Sequence, residues 1–192
     1  PSGRDSEMFI INFHKGRSYP FVQMPLYELT DSVVDGELVL TNEIMDMREM
    51  ILEMPSISQK FLTAENFLLK KFHTKLVVNP FIEFAVNRIV EAPSQLTIEQ
   101  ISHKVGYSQK HLIKLFKDNV GLTPKGFLKV IRFQKAIQEI DASKNISWAC
   151  LALESGYYDQ AHFINDFKLF SGFTPQEYLQ KQSEYLNYIA VG

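Results

Sequence analysis

Cysteine is nearly absent: the single thiol, Cys150, excludes an internal disulfide. Its neighbours Trp148, Ala149, Leu151 and Ala152 are apolar, which predicts a buried thiol acting as a small hydrophobe rather than a redox sensor. Long apolar runs are missing too. Stretches such as Leu76-Val77-Val78 and Phe81-Ile82 fall far short of the roughly 20 residues of a membrane helix. No charged-then-apolar segment opens the chain, so the expectation is a soluble cytoplasmic protein with no membrane partner. Catalytic constellations are lacking as well. The histidines His14, His73, His103, His111 and His162 have neither the i,i+4 nor the cysteine-rich spacing of a zinc site. There is no glycine-rich phosphate loop and no serine in a G-x-S-x-G setting. These absences predict a protein that is not an enzyme and uses no metal or cofactor.

What is present is enough apolar material, 45% of 192 residues, to fill one large or two small cores. A net charge of −2 argues, over the whole chain, against a protein that coats nucleic acid. The distribution argues the other way. From His103 to Lys135 there are eight cations (Lys104, Lys110, Lys114, Lys117, Lys125, Lys129, Arg132, Lys135) against one acid, Asp118. A solvated lysine face would interleave Glu and Asp for i,i+4 pairing, and this segment nearly excludes them. It reads as an electrostatic footprint for a polyanion.

The C-terminal half contains a repeat. Ile101-Ser102-His103-Lys104-Val105-Gly106-Tyr107 returns fifty positions later as Leu151-Ala152-Leu153-Glu154-Ser155-Gly156-Tyr157. Phe116-Lys117-Asp118-Asn119-Val120-Gly121-Leu122-Thr123-Pro124 returns fifty-one positions later, as Phe167 to Pro175. One residue is therefore inserted in the second copy between Gly156 and Phe167.

Each copy has the same physical reading. Thr97 caps a short helix with Ile98, Ile101 and Val105 at helical spacing, Gly106 makes a turn, and Ser108 caps the next helix. That helix turns Leu112, Leu115 and Phe116 inward and leaves Gln109, Lys110, Ile113, Lys114 and Lys117 to other faces, until Gly121 ends it. In the second copy Ser147 caps a helix with Trp148, Leu151 and Ala152, and Gly156 turns the chain. The following helix, from about Tyr158 to Phe170, has Phe163, Phe167 and Phe170 as its core face and Gln160, His162, Asn165 and Lys168 as outward candidates. Helix, glycine turn and polar second helix form the helix-turn-helix pattern, whose second helix reads base edges in the major groove. Gln and Asn can bond adenine bidentately there. Glu154, Asp159 and Asp166 predict that the second copy is less attractive to phosphate.

Thr123-Pro124 starts a linker helix, expected over about 124–141, with Phe127, Val130, Ile131, Ala136, Ile137 and Ile140 as its apolar set. About 18 residues at 1.5 Å each give roughly 27 Å, comparable to the ~34 Å between successive major-groove faces of B-DNA. One chain could then read both grooves.

These residues resemble the AraC/XylS-type transcriptional regulators over about 79–179. The likeness is carried by Gly106-Tyr107-Ser108, Leu112, Leu115-Phe116-Lys117 and Gly121-Leu122-Thr123-Pro124 in the first copy. In the second it is carried by Gly156 to Phe163, Phe167-Lys168 and Gly172-Phe173-Thr174-Pro175-Gln176-Glu177-Tyr178. The resemblance implies a mainly α protein whose residues 79–192 form a seven-helix module with helix-turn-helix units at about 97–117 and 147–170. It further implies a sequence-specific regulator, usually an activator, that binds promoter DNA in the bacterial cytoplasm and has RNA polymerase as a partner. The DNA-facing set is then Ser108, Gln109, Lys110, His111, Ile113, Lys114 and Lys117 in the first unit and Tyr158, Gln160, His162, Asn165 and Lys168 in the second. His103 and His111 flank the basic segment and read equally as phosphate contacts or as ordinary surface histidines. The sequence departs from the family at Ser102, commonly a small apolar residue, and at Asn165-Asp166, where Arg is frequent at the first position. A binding module that keeps the fold but reads protein, with weak or effector-dependent DNA binding, is the competing function class.

Residues 1–78 differ, with 8 cations against 11 acids. Met8 to Phe13, Tyr19 to Met24 and Glu37 to Leu40 read as strands. After Asn42 the pattern turns helical, with a stripe of Ile44, Met47, Ile51 and Leu52. A second helix begins at Pro55-Ser56 and carries Ile57, Phe61, Leu62, Phe67, Leu68 and Phe72. The expectation is a smaller α+β segment of the effector-binding or dimerisation kind. It is too short for a full sensor barrel, and with Pro1 rather than Met at its start it reads as a fragment. The pair 43–73 reads as core, with a homodimer seam as the alternative.

Overall fold

The computed structural model describes residues 8–22, 24–40, 43–73, 79–93, 97–140 and 146–182. Among the described residues there are eleven α-helices, one 3₁₀ turn and no strand. Backbone contacts divide the chain into two compact units, one of Pro1–Val78 with Asp118–Val120, the other of Asn79–Lys117 with Gly121–Gly192.

The first unit holds α1 (Tyr19–Val22), a 3₁₀ turn (Leu26–Leu29), α2 (Gly36–Leu40), α3 (Glu43–Leu52) and α4 (Ile57–Phe72). The expected strands are not there. Met8–Phe13 has no regular structure, and with no partner strand its side chains dock singly. Phe9 meets Phe61 of α4 at 5.2 Å and Phe13 meets Phe21 of α1 at 4.8 Å, while Met8 and Ile10 stay exposed. Tyr19–Val22 is one helical turn, in which Pro20 sits in the first turn, where no amide donor is needed. Gln23, inside the expected second strand, lies outside the described residues. Gly36–Leu40 is a helix because the Asp35 carboxylate accepts the Glu37 amide at 3.1 Å and so opens a helical turn. The α3–α4 pair closes over Met47, Ile51 and Ala64, with Phe9, Ile44, Phe67 and Leu68 packed around them. Ser56 caps α4 by accepting from the Gln59 amide. Lys71 pairs with Glu43 and donates to the Leu40 carbonyl at 3.0 Å. Of the α4 stripe only Phe72 is fully covered, and Ile57, Phe61 and Leu62 are exposed.

The second unit holds seven helices among the described residues: α5 (Pro80–Glu91), α6 (Ile98–Val105), α7 (Gln109–Val120), α8 (Pro124–Glu139), α9 (Trp148–Glu154), α10 (Gln160–Ser171) and α11 (Pro175–Gln182). Nearly every start is capped by a side chain. Asn79 accepts from Phe81 and Ile82 ahead of Pro80, and Thr97 forms a reciprocal capping box with Gln100. Ser108, Thr123, Ser147 and Asp159 each accept from the amide three residues on. Each such cap contributes about 1 kcal/mol. The linker helix α8 is 16 residues long, about 24 Å. It ends where Ile140 becomes extended, and Asp141 lies outside the described residues.

The linker carries both halves of the core. Toward its start Phe127 packs on Phe116 at 5.6 Å, and Ile82, Ala85, Val86, Ile89, Ile101 and Leu112 are buried in the same half. Toward its end Ala136, Ile137 and Ile140 share a core with Leu151, Ala152, Tyr157, Phe163 and Phe167. Cys150 is exposed, against expectation. Leu151 and Ala152 are the buried residues of α9, and a residue one step before Leu151 points about 100° away from it.

Candidate nucleic-acid interface

The first helix-turn-helix is α6, a turn at Gly106 and α7. Gly106 has φ +73°, and a Cβ there would meet nothing within 4 Å, so backbone conformation rather than crowding calls for glycine. The side-chain oxygen of Ser108 receives the His111 amide at 3.2 Å, which commits it to capping although the residue is exposed. Leu112 and Phe116 are fully buried and fix the roll of α7. That roll turns Gln109, Lys110, Ile113, Lys114 and Lys117 outward on consecutive turns. None of these five is an acid. His111 is exposed, but its ring sits edge-on to Tyr107 at 4.6 Å, and Tyr107 in turn meets Phe81 at 4.9 Å. Leu115, expected inside, is half-buried.

The second helix-turn-helix is α9, a turn at Gly156 (φ +92°) and α10. The N-cap of α7 lies two residues after Gly106, and that of α10, Asp159, three residues after Gly156. The inserted residue is therefore in the turn, at Tyr158, which is 88% exposed. With the insertion placed, Phe163 and Phe167 stand where Leu112 and Phe116 stand, and all four side chains are 0% exposed. His162 meets Tyr157 edge-on at 5.5 Å, as His111 meets Tyr107. Gln160, Asn165 and Lys168 are exposed, and His162 is half-buried. The alignment also turns Ala161 outward at the place of Lys110, a residue that motif reading passed over. The capping preference for Asp at 159 was the signal that could have located it. Phe170, expected in the core, lies at its rim, 38% exposed and 5.0 Å from Phe133.

Several charges are not where the sequence suggests. Asp166 faces inward, with 6% of its side chain exposed, and its Oδ1 accepts from Lys129 of α8 at 2.7 Å. Its Oδ2 lies 3.6 Å from His162 Nε2. The Asp159 carboxylate is occupied by the His162 amide at 2.7 Å. Two of the three acids expected to repel phosphate are thus used inside the unit. The same holds for part of the basic segment. Lys129 is taken by Asp166, Arg132 donates from Nε (3.1 Å) and Nη2 (2.8 Å) to the Pro93 carbonyl, and Lys135 donates to the Glu154 carbonyl at 2.6 Å. Burial lowers the pKa of the Arg132 guanidinium, and burial, reinforced by Asp166, raises that of the Tyr157 phenol well above the ordinary tyrosine range. Exposed lysines of the segment are Lys104, Lys110, Lys114, Lys117, Lys125 and Lys135, the last of them donating to Glu154. Among the described residues no helix is long and apolar enough to cross a membrane, and no cluster of three or more His, Cys, Asp or Glu is placed to hold a metal.

Comparison with known proteins matches residues 101–181 to a family described as a helix-turn-helix domain. The chain is 33% identical over 188 residues to an uncharacterised HTH-type transcriptional regulator of Haemophilus influenzae, covering 92% of this chain and 57% of that protein. It is 25% identical over 167 residues to the lactose operon transcription activator of Staphylococcus xylosus, covering 77% and 60%. An HTH-type transcriptional regulator of Staphylococcus aureus is 30% identical over 83 residues, 43% of this chain and 11% of that one. The chain thus spans 57% and 60% of the length of the first two relatives. No solved structure matches it.

Proposed function

We propose that the chain, whose residues 101–181 match a helix-turn-helix domain, is an AraC-type transcriptional regulator that activates transcription by inserting α7 and α10 into adjacent major grooves of one promoter duplex. The observation that carries this reading is the outward face of α7, where Lys110, Lys114 and Lys117 stand with Gln109 and Ile113 over a buried Leu112–Phe116 anchor. Lysines at such positions neutralise phosphate and release counterions, which supplies most of the sequence-independent affinity. Gln109, Gln160 and Asn165 are the side chains with donor and acceptor pairs for base edges. Activation is supported by the similarity to the lactose operon transcription activator of Staphylococcus xylosus. RNA polymerase, a small-molecule effector and a second copy of the chain are the partners this reading implies, in the bacterial cytoplasm. The exposed Ile57, Phe61, Leu62 and Leu69 of α4 are the surface a second copy would use.

A salt titration of the full chain on duplex DNA tests the reading. We expect log affinity to fall linearly with log salt, and Lys110→Ala and Lys114→Ala each to make the slope shallower by about one. Unchanged affinity and slope in both variants would refute α7 as the reading helix. Absence of DNA binding in the parent chain would favour a protein-reading module, a reading supported by the scarcity of cations on α10, where Lys168 is the basic residue of the outward face.

A further inference from the structure

We propose that the polar face of the linker helix, Arg132 together with the Lys129–Asp166 pair, fixes the spacing between the two half-sites by locking α10 in one orientation relative to α7. The proposal rests on the two-groove reading above and names the residues that set its geometry.

Arg132 of α8 bridges the segment just ahead of the first helix-turn-helix and the turn of the second. Its Nε and Nη2 reach the carbonyl of Pro93, which follows α5 and precedes α6, at 3.1 and 2.8 Å. The same guanidinium lies over the ring of Tyr157, in the turn of the second unit, at 5.8 Å. One turn earlier on α8, Lys129 holds Asp166 on the buried side of α10 at 2.7 Å. One turn later, Lys135 holds the Glu154 carbonyl at the end of α9 at 2.6 Å. Of these three cations at i, i+3 and i+6, Lys129 and Lys135 bind partners in the second helix-turn-helix, and Arg132 joins Pro93 to Tyr157.

Apolar packing of Phe133, Ile137 and Ile140 against the second unit is non-directional and would tolerate a rocking of α10. A guanidinium with two donors on one carbonyl and a ring beneath it does not tolerate such a shift. Nor does Asp166, which is buried and would be left without Lys129. Each base pair advances the duplex by about 3.4 Å and turns it by roughly 35°. A reader that holds one orientation therefore distinguishes half-site spacings that differ by a single base pair. Arg132, Lys129 and Asp166 are positioning residues in this account: they touch no DNA, yet they decide which spacing is read.

The test uses the full chain and a duplex carrying both half-sites, compared with duplexes in which one base pair is inserted or deleted between them. Binding is followed by fluorescence anisotropy, and folding by circular dichroism. The parent chain is expected to lose about tenfold or more in affinity on either altered duplex, in line with the cost of a misread base pair. Arg132→Met is expected to bind the three duplexes within about threefold of one another, and Arg132→Lys to fall between, since it offers a compact charge without the fork. A second variant, Lys129→Met with Asp166→Leu, removes both charges together and guards against a misfolded Arg132→Met. A purely structural role would lower the melting temperature and leave the spacing penalty intact. A folded variant that keeps the parent's penalty overturns the proposal. A parent chain indifferent to the second half-site overturns the two-groove reading itself, and the spacing role with it.

Discussion

The two helix-turn-helix units share a buried frame and differ in almost everything they show to solvent. Ile101, Leu112 and Phe116 in one stand where Leu151, Phe163 and Phe167 stand in the other, and all six are buried. Outward, Lys110 and Lys114 of α7 correspond to Ala161 and Asn165 of α10, and the half-buried Leu115 corresponds to the inward Asp166. A duplicated fold keeps what fixes the roll of its reading helix and is free to change what the helix presents. On the proposed reading, the first helix-turn-helix would contribute attraction to phosphate and the second base contacts at a fixed distance.

Breaking the shared frame should cost most. Phe116→Ala and Phe167→Ala each remove a side chain that is 0% exposed, and each should lower unfolding free energy by about 3–5 kcal/mol in urea titrations. A small loss at one of the two would show that the frames are not equivalent. Next come the outward faces. Lys110→Ala and Lys114→Ala should each weaken binding by about 1–3 kcal/mol. Asn165→Ala should leave affinity for random duplex within about twofold while relaxing preference in the second half-site. Anisotropy on random and selected duplexes separates the two. Cap removal is smaller and should be symmetric: Ser108→Ala and Asp159→Ala should each lower stability by about 1 kcal/mol in the same urea titrations.

The smallest effect is acidic. The Glu177 carboxylate has its pKa lowered from 4.5 by hydrogen bonds from the Thr174 amide and hydroxyl. The folded pKa lies below the unfolded one, so its stabilisation is present above 4.5 and is lost as pH falls through the lowered value. Glu177→Gln should flatten that part of the melting temperature against pH curve and leave neutral pH nearly unchanged.

Much of the architecture from Asn79 onward was legible because its signals are local. Caps at Thr97, Ser108, Thr123 and Ser147, and glycines followed by polar helices, act through adjacent backbone and need no tertiary knowledge. The direction of individual charges was not legible. Asp166 and Lys129 are 37 residues apart, and Arg132 and Pro93 are 39 apart; nothing in composition says that such pairs meet. The count of eight cations overstates the open surface charge, since Lys129 and Arg132 are part-buried on internal partners and Lys135 is engaged by the Glu154 carbonyl. The strands expected before residue 43 failed for a related reason. A β-rich composition makes a strand only where a neighbour accepts its hydrogen bonds, and here Phe9, Phe13 and Phe21 found aromatic contacts instead.

The most direct test of the central claim is selection of preferred sites from a random duplex pool by the full chain. Two short reads, about one helical turn apart and both present in every selected family, are the predicted result. A single short read, with random sequence where the second should lie, would contradict it and leave α7 as the sole reader.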